Sequence, residues 1–116
     1  MTRRNSLLQY IVYDLLASIP NITSRPMFSG YGLYKDGVIF GIIADDQVYF
    51  KVDDSNLADF KRLGSQPFTY HTRGRTKPTA LSYWQVPAAI LEDRVALTVW
   101  VNAACTASQH TKLLSK

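Results

Sequence analysis

The chain has a single cysteine, Cys105, in 116 residues. One thiol forms no intramolecular disulfide, no cysteine zinc cluster and no CxxC redox pair, so a reducing cytoplasm is the expected compartment and no metal site is expected. Histidine is nearly as scarce, with only His71 and His110. No serine, threonine or cysteine stands in a nucleophile motif, so neither a catalytic triad nor an enzymatic activity is expected, and no cofactor motif is present. Long apolar runs are missing too. The stretch after Arg3 and Arg4 is broken by Gln9, Tyr10, Tyr13 and Asp14, and nothing later approaches the ~18 apolar residues of a membrane span. A soluble, unprocessed chain is expected, with no membrane partner and no small-molecule substrate.

What is abundant points to a packed interior. Hydrophobic residues make up 47% of the chain, with seven tyrosines, five phenylalanines and two tryptophans, against 19% charged. Such a composition is too rich in large apolar side chains for disorder, and the length suits one domain over residues 1–116. The formal charge is +4, from 13 basic and nine acidic side chains. Part of the excess gathers at Arg73, Arg75 and Lys77.

Periodicity then places the elements. Leu7, Leu8, Ile11, Val12, Leu15, Leu16 and Ile19 recur at helical spacing and predict an amphipathic helix over 6–19, stopped by Pro20. A loop through Asn21 and Ser24 is expected next. Between Pro26 and Val52, β-branched and aromatic residues predict strands over 27–34, 38–44 and 47–52, joined by tight turns at Asp36-Gly37 and Asp45-Asp46. Alternation sends Val48, Phe50 and Val52 to one face and Tyr49 and Lys51 to the other. Leu57, Phe60 and Leu63 predict a short helix over 55–63, with Gly64 as its left-handed stop. Strands over 67–72 and 79–86 should pair as a hairpin around the basic loop 73–78. Pro87 favours a first helical position, and Asp93 should cap a longer helix carrying Leu97, Trp100, Val101 and Ala104. The core is expected to lie within about residues 6–105, and residues 109–116 to form a polar, fraying tail. The order α-β-β-β-α-β-β-α implies an α+β fold, a single antiparallel sheet of about five strands with helices mainly on one face.

Chemistry-bearing groups are few. Asp45, Asp46, Asp53 and Asp54 suit turns and helix caps better than a metal or acid–base pair. Gly30, Gly32 and Gly37 lead into a strand rather than a helix, so they suit a bulge or a close backbone approach rather than a phosphate cradle. Arg73, Arg75 and Lys77 would place three cations on one side of an extended loop. That arrangement makes weak, sequence-nonspecific nucleic-acid binding the alternative function. Tyr31, Tyr49, Tyr83 and Trp84 lie in strands with alternating faces. Either some of them reach an open sheet face and form a protein interface, or the final helix covers that face and they belong to the core.

The run Arg25-Pro26-Met27-Phe28-Ser29-Gly30-Tyr31-Gly32-Leu33-Tyr34, with Gly37, Phe40 and Tyr49-Phe50-Lys51-Val52-Asp53, resembles the signature of the TfoX N-terminal domain family. Pro67-Phe68-Thr69-Tyr70 and Leu81-Ser82-Tyr83-Trp84-Gln85-Val86-Pro87 follow the same pattern in the same order, so the likeness covers about residues 6–105. Two departures are visible: Ser29 stands where the family usually has glycine, and the 73–79 loop is longer and more basic. The resemblance implies a secretion-chaperone-like α+β architecture, pairing as a homodimer, and a non-enzymatic regulatory role of the kind seen in bacterial competence and transcription regulators. Full-length regulators of this kind carry a second, C-terminal domain, which these residues are not expected to include. The partner implied is another protein or a second copy of the chain.

Overall fold

The computed structural model describes residue 10 and residues 16–17, 19–27, 30–44, 46–70 and 79–114. The expected opening helix lies almost wholly outside them. At its described end, residues 16–17 and 19–20 lie in bends and turns rather than helix, with the Ile19 amide bonded to the Leu16 carbonyl.

Six strands follow: β1 (Ile22–Met27), β2 (Gly30–Lys35), β3 (Val38–Ala44), β4 (Gln47–Lys51), β5 (Pro67–Tyr70) and β6 (Thr79–Gln85). All pairings are antiparallel, and the sheet order is β1-β2-β3-β4-β6-β5. Three helices complete the described chain: α1 (Leu57–Arg62), α2 (Ala88–Leu91) and α3 (Arg94–Leu114). The α+β class and the antiparallel sheet agree with the sequence reading. The sheet has one strand more than expected, because the segment expected as loop before residue 27 forms, together with Met27, the strand β1, and the expected strand 27–34 is β2 from Gly30 onward. Asn21 takes a positive φ of 66° and turns the chain. Its carbonyl accepts from the Asp36 amide at 3.1 Å, which fixes β1 beside β2. Pro26, which lacks an N–H, is tolerated because β1 is an edge strand.

The turns follow residue chemistry. Asp36 and Gly37 both hold positive φ, 52° and 80°, as a type I′ connection needs. Gly30 supplies the close approach: a Cβ there would lie 1.8 Å from the Ile43 carbonyl oxygen. The bulge falls further along, opposite Leu33 and Tyr34. At the end of α1, the Gly64 amide bonds to the Lys61 carbonyl and the Ser65 amide to the Phe60 carbonyl. With Gly64 at φ 74°, this is a Schellman stop.

The helices share one face of the sheet. Leu33, Phe40, Ile43, Val48 and Phe50 meet Leu97, Val101 and Ala104 of α3, together with Phe60 of α1 and Leu16 and Ile19 from the opening segment. Phe40 and Phe50 pack edge to face at 5.4 Å, and Phe60 lies 4.4 Å from Trp100. Asp93 caps α3 as expected, its Oδ1 accepting from the Val95 and Ala96 amides at 3.1 Å. Three local expectations need correction. Pro87 stands one residue before α2 rather than inside it. Leu63 is exposed, because the chain has already left the helix there. Residues 109–114 continue α3 instead of forming a tail, since the buried stripe extends to Ala107 and holds the last turns against the sheet.

Candidate interaction face

Directly opposed residues of an antiparallel pair share a face. Phe50 is buried beneath the helices and stands opposite Trp84, so Trp84 belongs to the covered side. Tyr31 stands opposite Ile43, itself opposite Val48, and packs against the same core. Tyr49 is opposite Gln85 and Lys51 is opposite Tyr83, on the other side of the sheet. Of the four aromatic candidates, Tyr49 and Tyr83 therefore reach the face that α3 leaves uncovered, while Tyr31 and Trp84 line the core. Arg73, Arg75 and Lys77, with His71, lie outside the described residues.

The uncovered face has its own order. Arg25, Gly32, Ile42, Tyr49 and Gln85 form one row across five strands. Tyr34 lies on the same side, two residues beyond Gly32, with the Arg25 guanidinium 5.5 Å from its ring centre. The Lys51 ammonium sits 5.2 Å from the Tyr83 ring and donates to Ser82 Oγ at 2.8 Å. Tyr49 and Phe68 meet edge to face at 4.9 Å. Gln85 Nε2 donates to Gln47 Oε1 at 2.6 Å. Burial pushes the Lys51 pKa down, partly offset by the Asp53 carboxylate nearby. Burial raises the Tyr83 pKa, with a smaller contribution from Tyr34. The described ion pairs are Lys35–Asp36, Arg62–Asp59 and His110–Asp53, so among the described residues neither Arg25 nor Lys51 is paired with a carboxylate.

A second cluster joins distant parts of the chain. His110 Nδ1, near the end of α3, lies 2.9 Å from Asp53 Oδ2, just before α1. The other oxygen of Asp53 accepts from the Ser55 amide and hydroxyl. Bonding to Ser55, chiefly through its side chain, and then to His110 holds the Asp53 carboxyl below its ordinary value. Here serine and histidine both bind the carboxylate and not each other, so the histidine activates no hydroxyl in this cluster. An open groove beside His110 is lined by Tyr34, Ile39, Thr106 and Ser108 among others. No three His, Cys, Asp or Glu side chains converge on a metal-sized site among the described residues. No described helix is long and apolar enough to cross a membrane.

Sequence reasoning did not anticipate Arg25, Tyr34 and Phe68 on this face. Arg25 was hidden by reading its segment as loop; the β-branched pair Ile22-Thr23 was the available signal for a strand. Comparison with the curated proteins finds no match. The family model of the TfoX N-terminal domain matches residues 14–108, most of the chain and nearly all of the described fold, and the protein belongs to that family.

Proposed function

We propose that this chain is a non-enzymatic interaction module whose uncovered sheet face binds another protein, in a regulatory setting such as the control of competence or other bacterial transcription. The observation that carries this reading is the division of the sheet. One face is sealed by α1 and α3, while the other presents Tyr49, Tyr83, Lys51 and Arg25 with none of the described helices over it. Tyrosines partly shielded by long cationic side chains give large contact area with polar tips, which suits recognition of a protein surface. A second copy of the chain is one candidate occupant, and the pairing would then be a homodimer.

Site-specific photo-crosslinking in the native host tests this. A photoreactive residue at Gln47, exposed on the uncovered side, should yield a discrete protein adduct. The same residue at Val95, 78% exposed on the outer side of α3, should not. Adducts from Val95 alone would overturn the assignment of the face, and an adduct of twice the chain mass would identify the partner as a second copy.

A further inference from the structure

The uncovered face is selective in charge. Among the described residues its cations, Arg25 and Lys51, form no ion pair, the Asp53 carboxylate near Lys51 being held by Ser55 and His110, and the side chains in rows with them are aromatic, aliphatic, amide or hydroxyl. We propose that the face takes an acidic, extended segment of a partner protein, with one carboxylate on Arg25 and a second on Lys51. This rests on the interaction reading above and names its partner class. Both cations are already positioned for the task. Arg25 is held over Tyr34, which leaves the edge of its guanidinium available for a two-pronged carboxylate contact. Lys51 is fixed by Ser82 and Tyr83, with N–H groups still to donate.

Strand geometry sets the spacing. Arg25 and Lys51 lie three strands apart and one two-residue step out of row. With strand spacings of about 4.8 Å and a step of about 6.8 Å, their backbones are roughly 16 Å apart. An extended peptide crosses that distance in about five residues. A single-stranded nucleic acid is the competing polyanion, but base stacking needs open ring faces. Tyr34 is covered by a guanidinium, Tyr83 by an ammonium, and Tyr49 meets Phe68 edge to face. The rings are committed to holding cations and one another, which favours carboxylates over bases.

The test uses the full chain at low salt and fluorescence anisotropy with three labelled probes. These are an extended peptide with glutamates at the first and fifth of five residues, which project to the same side of the chain, its glutamine counterpart, and a thymidine oligonucleotide. The glutamate peptide should bind, and the glutamine peptide should bind about tenfold more weakly or not at all. Arg25→Gln and Lys51→Gln should each weaken the glutamate peptide about tenfold. The doubly reversed protein, Arg25→Glu with Lys51→Glu, should prefer a lysine version of the peptide, a gain that misfolding cannot imitate. Equal binding of the glutamate and glutamine peptides, indifference to both substitutions, or absence of peptide binding would overturn the proposal. So would tighter binding of the oligonucleotide with the same dependence on Arg25 and Lys51. If Gln47 still crosslinks a host protein after any of these results, the interaction face stands and only its acidic partner falls.

Discussion

Asn56 is the buried polar side chain among the described residues, at 3% exposure. Its carbonyl oxygen accepts from the Asp53 amide at 2.8 Å and its amide donates to the Lys51 carbonyl at 3.1 Å. One side chain thus satisfies two backbone groups where β4 gives way to α1. Replacing it with alanine strands both, and Asn56→Ala is expected to lower stability by about 2 kcal/mol, read as a shift in the urea midpoint at constant slope. Three residues away, the Asp53 carboxyl is held below its ordinary value by Ser55 and His110. A carboxyl depressed in the folded state contributes stability above its unfolded pKa, and that contribution is lost as pH falls through the folded value. Asp53→Asn should therefore be less stable than the parent near neutrality, and the two proteins should converge at strongly acidic pH. A gap that persisted at the acid end would assign the loss to packing instead of charge. Because Asp53 is exposed to solvent on one side, the effect should be small and further reduced by salt.

Element by element, the chain's punctuation was easier to read than its edges. The Asp36-Gly37 turn, the Gly64 stop and the Asp93 cap each follow from one residue's local chemistry, so they were legible without tertiary information. Strand β1 was not legible, because an edge strand containing proline has a weak local preference and is defined by pairing with β2. The extension of α3 through Leu114 was also hidden, since polar residues after Ala107 mask a helix held by its earlier turns. The cap and stop make direct predictions. Asp93→Ala should cost about 1 kcal/mol through two lost amide contacts. Gly64→Ala should cost about 1 kcal/mol through strain at positive φ, with open space around it and no clash. Thermal melts of the two single variants and the double variant should show additive losses, because Asp93 and Gly64 bond to different backbone groups. A double variant markedly worse than the sum would show that α1 and α3 are coupled through their termini.

At the scale of the molecule, the two-layer arrangement was expected from the order of elements, but the choice of residues for each layer was not. Alternation predicted that Tyr49 and Lys51 would oppose Val48 and Phe50, and it left open which face α3 would cover. That choice depends on cross-strand register, which places Tyr31 beside Ile43 and Trp84 beside Phe50. A one-residue slip reverses every assignment, so no local pattern can supply it. The same topology predicts a gradient of amide protection. Strand β3 is flanked on both sides and carries Phe40, Ile42 and Ile43, all buried, so its amides should exchange most slowly. Those at the outer edges of β1 and β5 should exchange orders of magnitude faster. Equal protection in β1 would mean that its edge is covered in solution.

Helix α3 supplies Leu97, Val101, Ala104 and Ala107 to the interior, although it follows every strand in the chain. A ribosome-bound intermediate that has released residues only to about 93 would hold all six strands with Phe40, Phe50 and Phe60 facing water. Stable structure must therefore wait for α3, as far as Ala107, to emerge, and a chaperone that shields bare aromatic surface has its opportunity in that interval.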